Sequence, residues 1–524
     1  MTHRYIIWSV FAISIGIFSS FWLTKITIIS ASYIKDIIHH NPTEHFIEPT
    51  EEQEEIIAEE IFPLMENQFK LGEDKIVKDF GNILIDKISN PWGIVNGLTM
   101  FRGNPSRTWY GTGNIPNIPE TKWKYPNEKM CSASTSLGKT SIWCGTGWTG
   151  QPVVSETENG EVEVIFGAYD GKVHFVNGKS GSPTRNPFVT NDIIKGSVTL
   201  DPDGYPLLYF GSRDNKLRII SLEGTTPKEL WALDADDLGG VWNNDWDSNP
   251  VIIDDILYEG GENGWFYAIK LNRKINEYNN VEVDPVMIFS MPSYNKELID
   301  IVGRNVSIEN SLSFFDNRVY FANSGGRVLG LDISNIENGV APIVFDYWVG
   351  DDVDSTIVID NKGMLYVSVE QERFNTRSDE LGQFLKLNPY KNDNPYVWGI
   401  KIPIDNFTVG GIWATPALYK DYLYVPTHTG KFLGINKENG DIVWEEKVSP
   451  HSWSSPVIVD DNMIIGTCDG YLKKYSLDNP EQPVLEWSHL VGNGSCIEST
   501  PAIWNGQMFV GSRDGYFYKI DEKY

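Results

Sequence analysis

Positive charge is scarce in this chain. Its 524 residues carry 43 Lys and Arg against 71 Asp and Glu, a formal net charge of −28. A surface of that sign repels a phosphate backbone, so nucleic-acid binding is excluded. Cysteine is sparse as well: there are four, no two adjacent and none in a C-x-x-C-H spacing, which excludes covalently attached c-type haem. There is no G-x-S-x-G elbow and no H-E-x-x-H pair, and the 8 His do not fall at metal-ligand spacing. The tripeptide GKT at Gly138 is not a phosphate-binding loop, because Ala133 stands where that motif needs its first glycine.

Only one long apolar run is present. Tyr5 to Thr24 reads YIIWSVFAISIGIFSSFWLT, twenty residues without a charge, enough to cross ~30 Å of hydrocarbon. Arg4 precedes it and the long acidic chain follows, so the positive-inside rule places the N-terminus in the cytoplasm and the rest outside. No cysteine lies nearby, which excludes a lipid anchor there. The expectation is a single-pass anchor over residues 1–34, with the remainder periplasmic or extracellular. Cleavage near Ser30, Ala31 and Ser32 is the alternative. Residues 35–94, rich in Glu and Ile as in EPTEEQEEIIAEEIFPLMENQF, are expected to form an acidic, partly helical stalk.

From residue 145 onward one pattern returns: a small-residue and Pro start, a strand, a short hairpin, an aromatic-alternating strand, and often a Trp-bearing strand. The hairpins are GAYDG from Gly167, GSRDN from Gly211, GGENG from Gly260, ANSGG from Ala322, PTHTG from Pro426, GTCDG from Gly466 and GSRDG from Gly511. An eighth unit, STIVIDNKGMLYVSVE from Ser355, has its hairpin replaced by an insertion. Gly or Asn at a hairpin's end supplies the positive φ that a tight turn needs. Eight such sheets over residues 95–524 predict an all-β, eight-bladed propeller. The last unit, YFYKIDEKY, lacks a Trp strand, whereas ETKWKYP around Trp123 matches KELWALD around Trp231, DIVWEEKV around Trp444 and PVLEWSHL around Trp487. Residues 119–125 are therefore expected to supply the outer strand of blade 8.

Aligning the units on the first-strand proline, or its equivalent, marks one residue per blade three positions earlier: Thr149, Lys195, Asp247, Glu309, Asp354, Trp413, Trp453 and Glu498. These are expected to ring the mouth of the central channel. Carboxylates gathered around one opening raise each other's pKa unless a cation sits among them, which suits Asp247, Glu309, Asp354 and Glu498 to calcium. Lys195 could neutralise them instead. Trp413 and Trp453 offer flat walls to a planar or cationic guest. His451 and Arg304 and Arg373 are read as loop decoration. The four cysteines allow three pairings; Cys131 with Cys144 and Cys468 with Cys496 are expected, the latter because they fall in consecutive blades.

GINKENGDIVW, from Gly434 to Trp444, resembles the tryptophan-docking repeat of quinoprotein dehydrogenases and their non-enzymatic relatives, the pyrroloquinoline-quinone (PQQ) repeat propellers. FRGNPSRTWYGTG resembles the lead-in of the same propellers, and WNNDWDSNP around Asp247 is similar to the dehydrogenases' Trp-Asp strand start. The resemblance implies an eight-bladed propeller and, on the enzymatic branch, PQQ and calcium at the mouth. There Asp247 would be catalytic base or calcium ligand, Glu309 a ligand, Trp413 or Trp453 the stacking floor, with Lys195 beside the cofactor. On the other branch it implies a scaffold similar to the propeller of the outer-membrane β-barrel assembly machine, contacting protein partners. Three readings follow: a membrane-anchored binding or scaffold module, a PQQ- and calcium-dependent dehydrogenase, and a sensor or carbohydrate-binding ectodomain.

Overall fold

Period-two alternation in segments such as Trp265–Lys270 buries one row of side chains against each neighbouring sheet, and it repeats around the chain. The computed structural model describes residues 93–136, 138–147, 150–391, 393–404 and 410–523. Tyr5–Thr24, the stalk through residue 92, and Thr149 lie outside them. Among the described residues no helix is long and apolar enough to cross a membrane.

Eight antiparallel sheets, spanning residues 153–189, 199–234, 251–292, 313–348, 358–400, 417–447, 457–490 and 502–522, form the blades of an eight-bladed β-propeller. Each runs outward from a short inner strand at the channel. The hairpins between second and third strands close on Gly171, Asn215, Gly264, Gly326, Gly430, Gly470 and Gly515, all with φ between +69° and +96°. Blade 5 departs from the pattern. Its insertion forms a two-residue strand, Glu370–Gln371, paired with Gly410–Gly411, and a short helix, Thr376–Leu381.

A register shift recurs in the outer pair of blades 2 through 8. The first aromatic after the bulge is Trp231, Phe289, Phe345, Trp398, Trp444, Trp487 or Trp123, so the bulge turns one large ring toward the next blade. Trp398 of blade 5 donates its indole N–H to the Lys437 carbonyl of blade 6 at 3.2 Å. Its ring lies on Gly440, where a Cβ would come within 2.9 Å of it. Trp444 packs edge-on against Tyr475 of blade 7 at 5.5 Å and stays half-buried, where the docking pattern suggests full burial.

Closure uses the same device. Pro119–Tyr125 pairs antiparallel with Phe517–Glu522 as the outer strand of blade 8, and Trp123 donates to the Gly178 carbonyl of blade 1 at 3.2 Å. Phe166 of blade 1 stacks on Phe517 of blade 8 at 3.9 Å. At the channel's other end the lead-in segment forms a plug. Arg102 donates to the Pro416 and Pro456 carbonyls of blades 6 and 7 at 2.7 and 3.0 Å. Arg107 donates to the Leu312 carbonyl before blade 4 and to Asn249 Oδ1 before blade 3. Both guanidiniums are fully buried.

Deleting residues 119–125 exposes the edge of Phe517–Glu522, and the expected outcome is unfolding or strand-paired oligomers on gel filtration. Trp123→Ala is expected to cost up to ~3–5 kcal/mol in urea titration. A deletion variant that stays monomeric with an unchanged melting temperature refutes the clasp.

Candidate functional site

Among the described residues, two positions of the repeat come together at the mouth. One is the aligned ring already named, Thr149 excepted. The other, which the sequence reading missed, is the third residue of the hairpin: Tyr169, Arg213, Glu262, Ser324, His428, Cys468 and Arg513, with Glu370 at the corresponding place in blade 5. The repeat alignment contained this signal, since both positions recur at a fixed place in each unit. Contacts tie the two sets together. Lys195 Nζ touches Asp247 and lies 3.3 Å from Glu262. Ser324 Oγ donates to Asp354 at 3.4 Å, Trp453 donates to His428 Nδ1 at 2.9 Å, and Arg513 lies 3.6 Å from Glu498.

Charge is unevenly spread around the mouth. On blades 8, 1, 2 and 3, four carboxylates (Glu498, Asp245, Asp247, Glu262) face three cations (Arg513, Arg213, Lys195). Burial pulls the Lys195 pKa down, but Asp247, Glu262, Glu309 and Asp245 overcome it and hold the ammonium charged, well above its usual range. Burial likewise opposes the charged form of Glu262, yet Lys195 and hydrogen bonds from Asp247 and Asn243 keep it below the ordinary glutamate range.

Blades 4 and 5 differ. Six carboxylates, Glu309, Asp351, Asp352, Asp354, Glu370 and Glu372, gather here; Arg373 lies 3.4 and 3.5 Å from Asp351 and Asp352, and Lys195 also acts on Glu309. Arg373 is therefore part of the mouth, not loop decoration. Burial first, then mutual repulsion, lifts Asp354 and Glu370 well above their usual range. Glu309 rises to about 8 and Asp352 to about 7, both chiefly through burial. Buried Asp352 Oδ1 and Glu370 Oε1 have no hydrogen-bond partner. The expected set of four therefore divides. Asp247 belongs to Lys195, and Glu309 and Asp354 join Asp352 and Glu370. Glu498, raised by burial to about 7, sits instead with Arg513.

Blades 6 and 7 supply an aromatic wall. Trp413 and Trp453 stack on each other at 4.9 Å and 17°, with His428 and His451 beside Trp453. Burial, then His451, pushes His428 down to about 4, so it stays neutral and its Nδ1 accepts from Trp453. Both disulfides, Cys131–Cys144 and Cys468–Cys496, are formed. The second ties the blade 7 hairpin to the chain two residues before Glu498.

A family described as the outer membrane protein assembly factor BamB matches residues 395–523. The fold is a PQQ-like β-propeller. Among solved structures, a europium-containing methanol dehydrogenase is 12% identical with a TM-score of 0.56, covering 84% of this chain and 100% of its own. A quinohemoprotein alcohol dehydrogenase from Comamonas testosteroni is also 12% identical, TM-score 0.56, covering 84% and 82%. At that identity the likeness concerns the fold alone. No curated protein matches the chain.

The PQQ-like mouth fits a hard cation, because buried carboxylate oxygens without a hydrogen-bond partner, Asp247 Oδ1 and Glu370 Oε1 among them, stand beside further carboxylates. It does not fit a tricarboxylate quinone on the same terms. Lys195, Arg213, Arg373 and Arg513 are each engaged by the protein's own carboxylates.

The raised carboxyls fix a pH dependence. Asp245 and Glu309 at about 8, and Asp352 and Glu498 at about 7, all lie above the roughly 4 of an unfolded chain. Between pH ~4 and ~8 the folded state therefore holds more protons, and stability falls as pH rises. His428, lowered to about 4, and His489, lowered by burial, work oppositely below ~6.5, but the raised carboxyls, Glu259 at about 8 among them, outnumber them. Melting in EDTA is expected to show Tm falling from pH 5 to 8; a flat or rising Tm refutes this electrostatic picture.

Proposed function

We propose that the protein is a membrane-anchored, extracytoplasmic binding module that takes a hard divalent cation, calcium by its chemistry, on the blade 4 and 5 side of the mouth. Its rim then serves as a scaffold surface for protein partners. The observation that carries the cation is buried Glu370, whose Oε1 has no hydrogen-bond partner, beside Asp354 and Asp352, with no cation among the described residues acting on Asp354 or Glu370. Two disulfides suit an oxidising compartment, and the run Tyr5–Thr24 supplies the anchor. Loops at one end of a propeller and an acidic rim are a ready surface for partners.

The competing PQQ-dependent dehydrogenase reading would place Asp247 as base. Burial lifts Asp247 well above its usual range, which suits a base, but it is already engaged by Lys195, in contact with it, and by Glu262, hydrogen-bonded to it. The mouth's cations are also committed, so the quinone's carboxylates meet no spare counter-charge. A sensor or carbohydrate-binding ectodomain has less support: the faces of Trp413 and Trp453 are partly taken by their mutual stack, leaving less room for a sugar ring.

Calcium binding only the folded state at a hundredfold excess over Kd adds about 2.7 kcal/mol. For a domain of this size that is a Tm rise of about 3 °C. Asp354→Asn with Glu370→Gln is expected to raise Tm without calcium, by removing repulsion, and to abolish the calcium response. Asp247→Asn is expected to leave the response in place. A wild type unmoved by calcium at pH 8 refutes the cation site. Further stabilisation by PQQ in the presence of calcium would favour the dehydrogenase.

A further inference from the structure

Cys131–Ser136 and Lys139–Cys144 form a two-stranded ribbon closed at its base by the Cys131–Cys144 disulfide. Among the described residues it pairs with no other strand. It leaves the ring between blades 8 and 1, where Met130 N–H donates to the Gly515 carbonyl and Tyr169 N–H to the Gly145 carbonyl. Side chains hold it down. Ser132 Oγ donates to the Tyr169 carbonyl at 2.6 Å, and Trp143 lies edge-on to Tyr169 at 5.3 Å. The guanidiniums of Arg213 and Arg513 lie 5.9 and 5.2 Å from the Trp143 ring. Each of those arginines is also the partner of a mouth carboxylate, Asp245 at 2.7 Å and Glu498 at 3.6 Å. Beneath the ribbon Tyr169 is fully buried, yet its hydroxyl has no hydrogen-bond partner.

We propose that this ribbon is a lid over the blade 8, 1 and 2 side of the mouth, with Trp143 as its latch on Arg213 and Arg513. A ribbon with two open edges gains little by staying down except through these few contacts. Cation–π contacts at partly exposed sites are individually weak, on the order of 0.5–1 kcal/mol. Opening therefore costs little and does not disturb the blades. The disulfide keeps the ribbon a single stiff flap, so it moves as a unit about Met130 and Gly145. Opening uncovers the Tyr169 hydroxyl and the arginine–carboxylate pairs and gives a ligand its route in.

The lid rests on the mouth being a binding site, and two readouts on the full, oxidised chain separate the claims. Hydroxyl-radical footprinting needs no ligand: Tyr169 is expected to be protected in wild type, labelled in Trp143→Ala, and protected again in Trp143→Phe. If Trp143→Ala does not fold, Arg213→Lys with Arg513→Lys serves, keeping the charges while removing the planar faces. The second readout is an equilibrium terbium titration of the cation site, which lies on the blade 4 and 5 side across the mouth from the lid: the latch variants are expected to bind terbium with an unchanged Kd. Tyr169 remaining protected in a folded latch variant overturns the lid whatever terbium does. No terbium binding to wild type sinks the cation reading alone, and the footprint still decides the lid.

Discussion

Eight sheets arranged in a ring leave two blades that must meet although they lie at opposite ends of the chain. Here the meeting is made by Pro119–Tyr125, which completes the sheet begun at Ala502, and by Phe166 stacking on Phe517 across the seam. Loop closure over nearly four hundred residues is entropically costly, so the seam needs more than one sheet edge. Arg102 and Arg107 provide it from the plug by reaching the starts of blades 3, 4, 6 and 7. The mouth depends on this closure directly. Arg513 of blade 8 lies over Tyr169 of blade 1 at 4.7 Å only because the seam is shut.

Much of this architecture was legible in the sequence because it repeats. Hairpins at regular intervals gave the blades, and the matching of Trp123 with Trp231, Trp444 and Trp487 gave the clasp. The bulge explains why a tryptophan was the useful mark: it falls at the one outer-strand position that turns toward the next blade. Blade 4 uses Phe345 at that place, which no tryptophan search finds. The roles of Arg102 and Arg107 were not legible. FRGNPSR could be recognised as a lead-in, but nothing local in it says that its arginines will be buried against carbonyls more than two hundred residues away.

The site was legible as a set of positions and not as a distribution of charge. Alignment found Lys195, Asp247, Glu309 and Asp354, and the structure brings them beside one another. It treated them as one ring, however, and a ring hides which neighbours meet. Lys195 reaches Asp247 and Glu262 on the adjoining blade and thereby uses its charge locally. Glu370, Glu372 and Arg373 lie in the insertion that interrupts blade 5, where the repeat is weakest and an alignment has least to say. Irregularity in a repeat protein is itself a signal, because chain that does not serve the repeat is free to serve the site.

The same division bears on whether the protein can neutralise its own mouth. A lysine among four evenly spaced carboxylates would be a sufficient internal counter-ion, and no ligand would be needed. The observed spacing removes that option. Lys195 is held by two carboxylates on the blade 2 and 3 side, and Arg213 and Arg513 are each taken by one more. On blades 4 and 5 Arg373 faces Asp351 and Asp352, Lys195 acts on Glu309, and Asp354 and Glu370 are left beside other acids. Protons can relieve that imbalance, and the raised pKa of Glu309 and Asp352 is that relief at work. A protonated carboxyl can donate to a neighbouring carboxylate, and Asp354 is hydrogen-bonded to Asp352 in this way. Glu370 Oε1, however, is buried with no hydrogen-bond partner. A coordinated cation would satisfy that oxygen as well as the charge. That unsatisfied oxygen, more than the number of acids, is why the mouth reads as a binding site.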